Sequence, residues 1–141
     1  MKTLGRHLVA EFYDCDAKKL DDVEAIQRAM KAAVVEVKAT VVGELYYHYE
    51  PHGVTGTILI AESHVSVHTW PESGYAAVDI FTCGGLDPRP GFRSLMRDLG
   101  AGSCRVQELL RGLEDDVDQA HPISPEEVII VSRVAPLMTA D

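Results

Sequence analysis

Three runs with strand character, residues 54–61, 64–70 and 75–83, follow one another with almost no chain between them. Each reads as a candidate strand. Turn signals bound them: Pro51-His52-Gly53 before the first, Pro71-Glu72-Ser73-Gly74 between the last two, Gly84-Gly85 after the third. Connections this short join antiparallel neighbours, so the centre of the chain reads as a β-meander.

The flanking segments supply the rest of a small α+β fold. Residues 4–13 read as a first strand, and Val41 to Tyr49 as another. Between them Val23, Ile26, Met30, Val34 and Val37 recur at helical spacing, which predicts an amphipathic helix over 20–38 opened by Asp21-Asp22. A second helix is expected over about 88–99, with Phe92, Leu95, Met96 and Leu99 on one face, and a last strand over 103–110. The order βαβββ(β)αβ predicts a mostly antiparallel sheet with helices covering one face.

The full 141 residues suit one domain, and 46% hydrophobic residues suffice for a core. From Glu114 onward seven acids stand against the single base Arg133, so −6 of the net charge of −9 lies in the tail. The domain is expected to span 1–118, followed by an acidic extension over 119–141, where 124–131 fits a helix or a strand equally well. The acidic balance argues against nucleic acid as a partner. Cys15, Cys83 and Cys104 are odd in number and lack paired spacing, so no disulfide framework is expected. The apolar run near the N-terminus is too short for a signal peptide, and no stretch approaches ~20 apolar residues, so a cytoplasmic, non-membrane protein is expected.

The chemistry concentrates in residues 62–72. On a strand alternate side chains share a face, so Val65, Val67 and Thr69 point to the core while His64, Ser66, His68 and Trp70 point away. Cys83 ends the neighbouring strand. A solvated polar face is the plain reading of these residue types. A metal site on His64, His68 and Cys83 is disfavoured, because residues four apart on a strand lie roughly 13 Å apart. Nucleophilic chemistry at a serine, with a histidine and a cysteine transferring protons, is the third reading.

Ala61-Glu62-Ser63-His64, His68-Thr69-Trp70-Pro71-Glu72 and Phe81-Thr82-Cys83-Gly84 together resemble the prokaryotic S-adenosylmethionine decarboxylase proenzymes. Gly5-Arg6-His7-Leu8, Tyr13-Asp14-Cys15-Asp16 and Gly53-Val54-Thr55-Gly56 resemble the same family, and the likeness covers about residues 3–112. It implies a two-layer α/β sandwich that dimerises through its sheets into a four-layer αββα assembly. It also implies self-cleavage between Glu62 and Ser63, into a β chain of 1–62 and an α chain of 63–141.

By that resemblance Ser63 becomes a pyruvoyl cofactor. Its hydroxyl attacks the Glu62 carbonyl to give an ester, β-elimination breaks the ester, and hydrolysis of the dehydroalanine leaves pyruvoyl and ammonia. A Schiff base to such a carbonyl is an electron sink of the kind pyridoxal phosphate provides elsewhere, and no lysine here has an obvious pyridoxal-phosphate context. The resemblance assigns His68 to proton abstraction in processing and Cys83 to proton donation to the decarboxylated substrate carbon. It assigns Glu72 to the substrate ribose, Tyr49 to stacking on adenine where the family usually has Phe, and Thr55 to processing support where the family usually has Ser. No metal is implied. His7, His48, Cys15 and Cys104 are read as structural. S-adenosylmethionine is the favoured small-molecule substrate, with arginine or ornithine the alternative because relatives with this self-cleaving core use them; a non-enzymatic paralogue is the remaining reading.

Overall fold

The computed structural model describes residues 3–114 and Ala120. The expected acidic extension, with its helix-or-strand segment, falls outside the described residues apart from Ala120. The elements run β1 (Gly5–Tyr13), α1 (Ala17–Leu20), α2 (Val23–Val37), β2 (Thr40–His48), β3 (Val54–Ala61), β4 (Ser63–Trp70), a 3-10 turn (Pro71–Ser73), β5 (Tyr75–Cys83), α3 (Arg89–Asp98) and β6 (Ser103–Arg111). They form one six-stranded sheet in the order β2-β3-β4-β5-β1-β6, with every neighbouring pair antiparallel.

The helix expected over 20–38 is α2, which starts at Val23, and the short α1 before it is an element the sequence pattern did not indicate. Asp22 adopts an extended backbone and caps α2, its carboxylate accepting from the N–H groups of Glu24 and Ala25 at 3.0 and 3.2 Å. A capping residue is not helical, so the break falls where two acids adjoin. The preceding Asp21 carboxylate instead accepts from Gly53 N–H at 2.9 Å and lies 2.8 Å from His48 Nε2. These contacts, led by the Gly53 N–H, hold Asp21 below the usual carboxylate range. They tie the helical layer to the turn that carries Tyr49.

Ile26, Ala29, Met30, Ala33, Val34 and Val37 give α2 one buried stripe. It packs on the inward residues of the sheet, among them Leu8, Phe12, Val54, Ile58, Val65, Val67 and Ile80. Apolar burial of this kind contributes about 25 cal/mol per Å² and is the main term favouring the fold. Helix α3 meets α2 at Gly91, where an added Cβ would stand 2.5 Å from Val37 Cγ2 and 3.1 Å from the Ala33 carbonyl oxygen. Only a glycine permits that approach.

Both helices lie on one face. The other face carries outward residues of every strand and has no second layer among the described residues. Leu45 is 76% exposed there, Tyr47 62% and Leu59 54%, with Trp70 and Leu109 beside them. An apolar sheet face of this extent belongs against another surface.

Candidate active site

The β3–β4 hairpin turns through Ala61 and Glu62, with Ile60 paired to Ser63. Ser63 is the first residue of β4 and has φ of 107°, a region that side-chain-bearing residues rarely occupy. Holding it there costs on the order of 1–3 kcal/mol, met by the surrounding structure. The departure also breaks the in–out alternation of β4. Ser63 is paired with Thr82, yet its Oγ lies 2.9 Å from Sγ of Cys83. Cys83 is fixed in turn by Thr82, a buried hydroxyl that donates to the Leu86 carbonyl at 3.0 Å across the turn that follows. Glu62, Cys83, Gly84 and Leu86 border a cleft of ≈710 Å³.

His68 is not part of this cluster. It lies five residues along β4, roughly 16 Å away at ~3.3 Å per residue. There it pairs with Thr55 of β3, whose Oγ1 is 3.0 Å from His68 Nδ1. A second cleft, of ≈370 Å³, is lined at this end by Tyr49, His52, Thr55, His68, Trp70 and Glu72. Tyr49 is 45% exposed and edges the ring of Tyr47 at 4.9 Å, held by its N–H donating to the Gly53 carbonyl at 2.7 Å. The Trp70 and Tyr75 rings lie 5.2 Å apart. The Tyr75 hydroxyl donates to Glu11, and burial together with that carboxylate drives the phenol's pKa well up, so it stays a donor.

Of the residues read from the sequence, the chain therefore joins Ser63, Glu62 and Cys83 at one end of the open face. It joins Tyr49, Thr55, His68 and Glu72 at the other. Sequence reasoning missed His52, whose Nε2 lies 3.1 Å from Glu72 Oε1 and orients that carboxylate. It also missed the sharing of one Asp79 oxygen by His7 and His64, at 2.8 and 2.7 Å. The alternation of β4 put His64 on the open face, but its partners depend on a strand pairing that local pattern does not reveal. His48, read as structural, is an anchor for Asp21, and Cys15 is a buried thiol pushed up to about 11 by that burial and by Asp14.

A pyruvoyl group made from Ser63 fits these surroundings. The serine is at an exposed hairpin end, its hydroxyl already meets a thiol, and the adjoining cleft leaves room beside it. None of the described helices is long and apolar enough to cross a membrane.

Comparison with known proteins agrees with this fold. The family model described as S-adenosylmethionine decarboxylase matches residues 6–112. The S-adenosylmethionine decarboxylase proenzyme of Thermosipho melanesiensis is 50% identical over 118 residues, covering 83% of this chain and 91% of the relative. The proenzyme of Thermotoga maritima is 49% identical over 118 residues, with the same coverage of 83% and 91%. The crystal structure of the adenosylmethionine decarboxylase from Aquifex aeolicus superposes with a TM-score of 0.75 at 40% identity, covering 80% of this chain and 94% of that one. With the match running across nearly the whole sheet, the chain belongs to the S-adenosylmethionine decarboxylase family.

Proposed function

We propose that this chain is a proenzyme that cleaves itself at Glu62–Ser63 and then acts as a pyruvoyl-dependent decarboxylase of S-adenosylmethionine. The observation that carries the reading is the 2.9 Å contact of Ser63 Oγ with Cys83 Sγ at a strained hairpin end. The Ser63 oxygen attacks the Glu62 carbonyl carbon, the C–N bond breaks, and the hydroxyl proton passes to the freed nitrogen. Cys83 is placed to share that proton. Loss of the Ser63 α-proton then breaks the Cβ–Oγ bond and releases Glu62 as a carboxylate. Once formed, the pyruvoyl carbonyl supplies the electron sink for loss of CO2. Cys83 then returns a proton to the substrate carbon, Glu72 receives the ribose hydroxyls, and Tyr49 offers a face to the adenine.

His68 takes part from a second copy. Proton transfer needs heavy atoms within about 3 Å, or one water between them, whereas His68 lies about 16 Å along the strand from Ser63. A homodimer joined through the open sheet faces in antiparallel sense sets Thr55 and His68 of one protomer against Ser63 and Cys83 of its partner. It also covers Leu45, Tyr47, Leu59 and Trp70. Two equivalent sites result, each drawing on both clefts. The enzyme is placed in the cytoplasm, where its thiols stay reduced.

The names of the relatives favour S-adenosylmethionine over arginine or ornithine. Labelled S-adenosylmethionine, arginine and ornithine, offered separately to purified protein, test the substrate. Labelled CO2 is expected from S-adenosylmethionine alone. Release only from arginine or ornithine refutes the assignment.

A further inference from the structure

His7, His64 and Asp79 place their ligand-type atoms within 4.8 Å of one another on the open face. Two imidazoles and a carboxylate suggest a metal centre, but a fourth group decides otherwise. Arg111 Nη1 lies 3.1 Å from His7 Nδ1. Guanidinium only donates, so His7 Nδ1 accepts and its proton sits on Nε2. That Nε2–H then donates to Asp79 Oδ2 at 2.8 Å. His64 Nε2 lies 2.7 Å from the same oxygen and donates as well, since an ionised carboxylate only accepts. Both ring nitrogens aimed at the centre carry hydrogens. A metal would have to displace both and turn a His7 N–H against the guanidinium.

We propose instead that the Arg111–His7–Asp79–His64 chain of hydrogen bonds is a positioning device for self-cleavage, fixing Ser63 against the Glu62 carbonyl and Cys83. The proposal rests on the proenzyme reading above and adds residues to it. The chain crosses four strands, β6, β1, β5 and β4, and ends on the residue next to Ser63. Asp79 pairs directly with Ser66, so His64 reaches diagonally and pins the start of β4 to β5. The same groups surround Phe81, two residues before Cys83 on the same face. The His7 and His64 rings lie 4.9 and 5.8 Å from its ring, and the Arg111 guanidinium carbon stands 5.2 Å from its centre. Both strands that deliver reacting atoms are thus held by one network. The Ser63 backbone, at φ of 107°, requires such external restraint.

The test compares His64→Leu with His64→Gln, whose side-chain amide restores the N–H toward Asp79, in the full-length protein. Fragment appearance is followed by gel, with unfolding midpoints measured in parallel. His64→Leu is expected to slow cleavage at least about tenfold, since a misplacement near 1 Å costs up to about a hundredfold. His64→Gln is expected to recover most of that rate. Hydroxylamine, which cleaves esters, should not release fragments from uncleaved His64→Leu protein, because the step lost is ester formation. EDTA should leave cleavage of the unmutated protein unchanged. Arg111→Met, at the far end of the network, covers the case in which His64→Leu does not fold; it frees the His7 tautomer and is expected to slow cleavage severalfold. The proposal is overturned if His64→Leu or a folded Arg111→Met cleaves at the unmutated rate, or if Leu and Gln are equally slow at equal stability. Release of fragments by hydroxylamine, or EDTA-sensitive cleavage restored by zinc, overturns it too. If the unmutated protein itself fails to cleave, it is the proenzyme reading that falls.

Discussion

Two inactive variants should restore each other when made in one cell. Ser63→Ala removes the attacking hydroxyl, and His68→Ala removes the imidazole at the other end of β4. Alone, each is expected to remain an uncleaved chain. Five residues of strand separate the two positions by about 16 Å, well beyond a hydrogen bond of about 3 Å. In the homodimer proposed above, each working site takes Ser63 from one protomer and His68 from its partner. In a mixed dimer one site carries both lesions and the other carries none. Random pairing makes about half of all dimers mixed, as expected for a closed two-fold assembly. About half of the His68→Ala chains should therefore be cleaved, and decarboxylation should approach about a quarter of the unmutated value. A tag on one chain lets a denaturing gel assign the fragments. Co-expression that yields no more cleavage than His68→Ala alone would show that Ser63 and His68 act within one chain.

Three further outcomes follow from the packing. Gly56→Ala would set a Cβ 2.7 Å from Met30 Sδ and 2.8 Å from Tyr46 Cδ1, so a loss of about 1–3 kcal/mol is expected in denaturant titration. Unchanged stability would mean that the helix-to-sheet contact yields easily. Thr69 Oγ1 donates to the Leu20 carbonyl at 2.6 Å and accepts from Val54 N–H at 2.9 Å, so Thr69→Val strands two buried backbone groups. That substitution should cost about 1–3 kcal/mol by the same titration, and a neutral result would contradict it. Cys15 has a thiol raised to about 11 by burial, so it should stay unalkylated by iodoacetamide at pH 8 in the folded protein. A group with a raised folded pKa adds stability below its unfolded value, here 9.0, and loses it as pH climbs towards 11. Replacing Cys15 by Ser should flatten that alkaline decline, and an identical decline in both proteins would assign it elsewhere.

Much of the fold is written in short-range pattern. The alternation over 54–61, 64–70 and 75–83 specifies both the hairpins and which face is buried, because side-chain direction has a period of two. The helix expected over 20–38 opens at the Asp21-Asp22 pair as its pattern indicates, but it starts only at Val23, since propensity does not say which acid will cap. The position of β1 between β5 and β6 is a long-range choice that local pattern does not encode. For that reason the link of His7 to Asp79 was illegible, although both residues stood in plain view. The split of the site was half-legible. The spacing that separates His64 from His68 separates Ser63 from His68 even further, yet ordered motifs suggest proximity unless strand length is applied to them. The partnership of His52 with Glu72 joins two turns, and no periodicity links turns.

Cleavage itself is the most direct measurement. Intact-mass analysis of the purified protein should show, in place of one 15.4 kDa chain, two fragments meeting at Glu62 and Ser63. The C-terminal fragment should have no free α-amino group, because pyruvoyl replaces the Ser63 amine. The Ser63→Ala protein should remain whole. A persistent 15.4 kDa chain, or a C-terminal fragment that begins with an ordinary serine, would contradict the account.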